Sequence, residues 1–193
     1  MEKAYVDPNS MAENAGDVAV SREKFNDLRD NILKVSPLKK FYFNKQFKRL
    51  GQYVENGDTQ PAVVVSTSPL IISAYSDEMD GVLFLKFPDI LAEKYSLTVG
   101  SRLVTSNVYF QGTKVAKEII AGPNYLRRYF DFTPTVQLFT CADESYITSR
   151  TQLFDESTWQ MVEELSMKRF AAKHKTRSGF EMLTKFRLLF LIF

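Results

Sequence analysis

The chain is poor in the residues that build conspicuous chemistry. One cysteine, Cys141, and one histidine, His174, stand among 193 residues. No intrachain disulfide can therefore form, and a cysteine-ligated zinc cluster within one chain is excluded. The lone cysteine favours a reducing compartment. A Cys141–His174 nucleophilic pair is the one such arrangement that composition allows, and its surroundings argue against it. Cys141 follows the apolar run 136–139, the setting of a small buried hydrophobe, and His174 stands between Lys173 and Lys175.

Other absences narrow the field further. The sequence holds no Walker glycine loop, dinucleotide fingerprint, serine elbow or His-Glu-x-x-His motif, and no Asn-x-Ser/Thr acceptor. Its first residues carry no apolar signal core. The longest apolar run, residues 188–193, is far short of the roughly 18 to 20 residues that span a bilayer. A soluble, cytoplasmic protein is the resulting expectation. Lysine and arginine number 25 against 23 acidic residues, a formal charge of +2. Bulk charge this mild does not define a nucleic-acid binder, so any electrostatic function must be local.

What the chain does have is apolar and aromatic: 45% hydrophobic and 13% aromatic residues. That content at this length supports one sizeable core. Residues 1–20 are polar and aperiodic and read as a flexible N-terminal arm. Residues 21–193 read as a single α+β domain. Ser21 offers an N-cap, with Val20 and Phe25 placed as a hydrophobic staple and Phe25, Leu28, Ile32 and Val35 at helical spacing up to Pro37. Phe43, Phe47, Leu50 and Val54 continue at helical intervals to the turn signal at residues 55–58; Phe41 and Phe43 also fit a strand, and helix is the favoured reading.

The run from Pro61 to Phe110 is β-branched and apolar, punctuated by turns. Asp80-Gly81 predicts a hairpin between residues 70–75 and 82–87. Pro88 is placed to open a short helix, and Gly100 marks a turn ahead of another strand. A second β-prone block covers residues 133–140 and 146–147, separated by a polar turn at 142–145. Ser157 with Gln160 forms a capping box for a helix bearing Trp159, Val162, Leu165 and Phe170. The fold class is thus α+β: a mostly antiparallel sheet or partly closed barrel over about residues 61–147, flanked by an N-terminal and a C-terminal helix.

Three places could carry function. Residues 178–193 form a possible docking tail, with basic residues leading to a fully apolar end that must be buried somewhere. Between Asp30 and Glu55 no acidic residue occurs, while Lys39, Lys40, Lys45, Lys48 and Arg49 interleave with Phe41, Tyr42, Phe43, Phe47 and Tyr53, a combination suited to phosphates and bases. Asp77, Glu78 and Asp80 gather in one loop that could hold a divalent cation, although their spacing fails the EF-hand pattern.

The leading reading is a non-enzymatic protein-binding module, an adaptor, inhibitor or assembly subunit. It would bury Phe186, Phe190, Ile192 and Phe193 against another protein or a second copy, with Arg127 and Arg128 at the rim. The alternative is a nucleic-acid-binding protein using Lys39, Lys40, Lys45, Lys48 and Arg49. A second alternative is a metal-dependent enzyme built on Asp77, Glu78 and Asp80. No cofactor is expected, and peripheral membrane contact ranks last among the partners.

Overall fold

Ser21 caps the first helix as its spacing predicts. Its hydroxyl accepts from the Lys24 amide at 3.1 Å, and α1 (Arg22–Asp27) continues into a π turn over Leu28–Ile32. These positions come from a computed structural model that describes residues 15–172 and 175–184. Pro37 opens the following helix rather than closing this one. The π turn is finished by Leu33, and Lys34 takes a left-handed φ of 46°. Pro37 then begins α2 (Pro37–Asn56), where its missing N–H leaves nothing unsatisfied.

Residues 15–20, expected as the end of a solvated arm, lie along the fold instead. Ala15 bridges to Asp58, Val20 bridges to Cys141, and Val18 is buried. Residues 1–14 lie outside the described residues.

The helix α2 passes into β1 (Asp58–Thr67) with only Gly57 between them. A Cβ there would sit 2.4 Å from the Tyr53 carbonyl oxygen, so the close approach requires glycine. β2 (Leu70–Ser76) and β3 (Gly81–Phe87) form the expected hairpin, with Asp80 at a φ of 45° in its turn. The short helix α3 (Ile90–Lys94) leads to β4 (Arg102–Phe110), which returns to pair with β1. β5 (Ile119–Ile120) pairs with β3, and β6 (Asp131–Val136) pairs with β4. The order β5-β3-β2-β1-β4-β6 is antiparallel throughout and curls into a half-barrel. β7 (Thr176–Ser178) adds in parallel to β3.

The second β-prone block is shorter than its propensities predict. After β6 the chain turns into helix α4 (Gln137–Thr140), and Tyr146 and Ile147 lie in helix α5 (Glu144–Ser149). The Asp143 carboxylate accepts from the Tyr146 amide at 2.9 Å, so residues 142–145 start a helix rather than turn a hairpin. Asp155, not Ser157, caps α6 (Glu156–Ala171), accepting from the Thr158 amide at 2.8 Å. The last described helix is α7 (Glu181–Thr184).

Both faces of the sheet are covered, which explains why its strands read as continuous apolar runs instead of alternating ones. On one face Ala62, Val64, Ile72, Leu83 and Leu103 pack with Phe25, Leu50, Phe139 and Phe180. On the other, Val63, Val65, Tyr75 and Phe84 pack with Trp159 and Val162 of α6. Full burial of each Val, Leu, Ile or Phe among them is worth about 1.5–3 kcal/mol. Arg102 pins α6 to β4: its guanidinium forks onto Glu156 at 2.7 Å and reaches Glu163 at 2.8 Å. Phe180 and Leu183 are buried, so the opening part of the expected docking tail belongs to the core.

Candidate functional site

Helix α2 carries aromatic side chains on two faces, and among the described residues one of these faces is buried and the other exposed. Phe43, Leu50, Tyr53 and Val54 are buried, with Phe25 at 4.9 Å from the Phe43 ring centre. Leu38, Phe41, Tyr42, Lys45, Lys48 and Arg49 recur at helical spacing along another side. At its start Leu38 is 89% exposed, Phe41 64% and Tyr42 53%. The two rings meet edge to face with centres 5.7 Å apart. The Lys45 ammonium stands 4.4 Å from the centre of the Phe41 ring, a cation–π contact that links charge to ring on the helix surface.

The cations of this segment divide into two groups. Lys40 pairs with Asp30 at 2.8 Å; Arg29, hydrogen-bonded to the same carboxyl, and Lys40 together hold it well below the usual carboxylate range. Arg49 donates to the Tyr53 hydroxyl at 2.8 Å. Lys39, Lys45 and Lys48 are exposed, and among the described residues none of them has a carboxylate within ion-pair distance. Three open lysines therefore flank two exposed rings, with no acidic side chain on the helix before Glu55.

Arg49 also borders a cavity of about 280 Å³ in the seam of the half-barrel. The seam separates β3 with its added strand β7 from β6, the strand at the opposite end of the sheet. Arg177 on β7 crosses it. Its guanidinium donates to the Phe132 carbonyl at 2.9 Å and to the Asp131 carboxylate at 3.0 Å, and lies 3.5 Å from Glu118 and 3.9 Å from Glu181. The side chain of Arg177 is 12% exposed and that of Glu118 20%, whereas that of Lys117 is 75% exposed. Charge is thus graded along the cavity, with carboxylates around Arg177 inside and a lysine at the rim. Leu85, Phe110 and Pro134 supply apolar wall.

The acidic loop is engaged within the protein. Asp77 accepts from the Tyr109 hydroxyl at 3.3 Å, Asp80 accepts from the Asn124 amide at 2.8 Å, and Glu78 lies 3.5 Å from Arg128. These contacts fasten the β2–β3 hairpin to β4 through Tyr109 and to the loop before β6 through Asn124 and Arg128. Among the described residues no group of three or more His, Cys, Asp or Glu side chains gathers as a metal site would require. Arg127 and Arg128 stand exposed on that same loop, next to Leu126, which is 71% exposed. Phe186, Phe190, Ile192, Phe193 and His174 lie outside the described residues. Cys141 is buried, and burial pushes its thiol up to about 11, the state of an inert core thiol. No helix among the described residues is long and apolar enough to cross a membrane.

Sequence reasoning finds the basic aromatic helix but not the seam. Arg49, Lys117, Asp131 and Arg177 come from distant segments and meet only through the curl of the sheet. One signal was present: Pro134 lies within a strand pattern, and proline in a sheet marks an edge. No protein-family model, curated protein or solved structure matches the chain.

Proposed function

We propose that the chain is a non-enzymatic binding module that takes single-stranded nucleic acid along the exposed side of α2. The observation that carries this reading is the pair Phe41 and Tyr42, 64% and 53% exposed, set among Lys39, Lys45 and Lys48 with no acidic residue from 31 to 54. Exposed ring faces stack on bases, and lysines without carboxylate partners neutralise phosphates. A strand offers both chemistries at short intervals, whereas a packed protein core consumes aromatics and leaves lysines to snorkel. Phe43 and Leu50 take that packing role on the covered side. The mild overall charge fits local binding by one helix rather than a broad electrostatic footprint. A cytoplasmic setting agrees with the single buried thiol.

Fluorescence anisotropy with labelled homopolymer RNA and DNA tests the reading. Saturable binding at low salt is expected, weakened by Phe41→Ala together with Tyr42→Ala. Stacking is worth about 1–3 kcal/mol per base, so the double variant should lose at least about tenfold in affinity. Absence of binding at low salt would reject the reading.

A second reading, docking of an acidic protein surface or a second copy, is favoured by Leu126 at 71% exposure beside Arg127 and Arg128. Apolar contact flanked by arginines is the composition of an interface anchor. Sedimentation of the wild-type chain against Leu126→Asp checks the self-association form: loss of a dimer in the variant supports it, and a wild-type monomer at high concentration counts against it.

A further inference from the structure

The seam cavity adds a recognition step to the α2 face, and the step rests on the nucleic-acid reading above. We infer that the cavity receives one base of the bound strand, with the adjoining phosphate held by Arg49 and Lys117 and the amino-bearing edge of the base turned toward Glu118 and Asp131.

The size is the first support. At about 280 Å³ the cavity falls just below the roughly 300–1,000 Å³ of small-ligand pockets, room for one ring system rather than a large cofactor. The path is the second. Arg49 is on α2, seven residues beyond Tyr42, and a helix rises about 1.5 Å per residue. The exposed rings and the cavity rim are therefore about 11 Å apart along one helix axis, a span that a short stretch of strand can cover.

The charge gradient is the third support and sets the orientation. Lys117 is at the open rim, and Arg49 spends its Nε and one terminal nitrogen on the Tyr53 hydroxyl while bordering the cavity. These cations suit a phosphate. Glu118 and Asp131 are further in, 20% and 29% exposed respectively, and share the guanidinium of Arg177, while Glu118 also lies 4.0 Å from the Lys117 ammonium at the rim. Glu181 stands 3.9 Å from the same guanidinium, and three carboxylates on one guanidinium leave accepting oxygens on Glu118 and Asp131 to spare. Carboxylates accept from exocyclic amino groups such as cytosine N4, and they repel the carbonyl edge of uracil. Phe110 and Pro134 present apolar surface against which a ring can lie flat.

Calorimetric titration of the full chain with the four nucleoside monophosphates, run beside the strand-binding assay, tests the inference. Guanosine, adenosine or cytidine monophosphate should bind at least about fivefold better than uridine monophosphate. Lys117→Ala should weaken nucleotide binding about tenfold, the worth of a charge-assisted contact. Glu118→Gln should erase the base preference, and Phe41→Ala should leave mononucleotide binding unchanged while weakening the strand. Strand binding that ignores Lys117→Ala, with no mononucleotide binding, overturns the inference and leaves the α2 reading standing. No strand binding at all overturns the α2 reading, and the strand-base assignment with it, even if free nucleotides bind.

Discussion

Arg177 donates to the backbone carbonyl of Phe132 at 2.9 Å, and through that bond β7 at one end of the half-barrel is tied to β6 at the other. The same guanidinium holds Asp131 at 3.0 Å. An edge strand with an unmet carbonyl and a half-buried carboxylate is a liability, and here one side chain covers both. Arg177→Ala is expected to lower stability by about 1–3 kcal/mol in urea unfolding, since a largely buried charged group leaves its partners unmet. Arg177→Lys should recover only part, because an ammonium lacks the planar fork that serves a carbonyl and a carboxylate together. Wild-type stability in the alanine variant would contradict the tie.

The two sides of α2 should separate cleanly in stability. Phe43 is 1% exposed, and Phe43→Ala is expected to cost about 3–5 kcal/mol through the cavity it leaves. Phe41 is 64% exposed, and Phe41→Ala should stay within about 0.5 kcal/mol of wild type. Thermal or urea unfolding of the two variants reads the difference. A large loss in Phe41→Ala would mean that the ring is structural and not displayed for a ligand.

Much of this was legible in advance, for reasons that differ from place to place. The hairpin around Asp80-Gly81 could be read because a turn dipeptide and two apolar runs agree. Tyr146 and Ile147 misled because β-propensity is weak beside a capped start, and Asp143 supplies that cap. Pro37 misled because proline both ends and begins helices, and only the left-handed Lys34 decides between them. The period of residues 39–53 favours a helix although Phe41 and Phe43 also fit a strand, and which rings face water depends on α1 covering Phe43 and not Phe41. The seam was not readable at all, since Arg177 finds Phe132 only after the sheet has curled.

Cys141 should behave as a core atom and not as a reagent. Its thiol, pushed up to about 11 by burial and 1% exposed, should resist alkylation at pH 8 in the native protein and react promptly in denaturant. Mass-spectrometric timing of iodoacetamide labelling measures both rates. Prompt native labelling would show an open thiol.

Acid should loosen the fold through its helix caps. The Tyr146 amide holds the Asp143 carboxyl below its ordinary value, the Thr158 amide does the same for Asp155, and Arg102 does so for Glu156. In the unfolded chain these groups titrate at about 3.9 to 4.3. Their contribution is complete above that range and is lost as pH falls through the lower folded values, because the unfolded state takes up protons first. Asparagine caps a helix without ionising, so Asp143→Asn with Asp155→Asn should flatten the fall in stability below about pH 4. Unfolding curves across that range check it, and an unchanged slope would argue against the caps.

The central claim, that the open lysines of α2 neutralise the phosphates of a single strand, is tested most directly by the salt dependence of binding. Each neutralised phosphate contributes about 0.7 to the slope of log affinity against log salt for single strands. Replacing Lys39, Lys45 and Lys48 together by alanine should reduce that slope by about 2 while leaving the fold intact, as all three are exposed. A slope unchanged in the triple variant, or affinity indifferent to salt between about 50 and 200 mM, would contradict it.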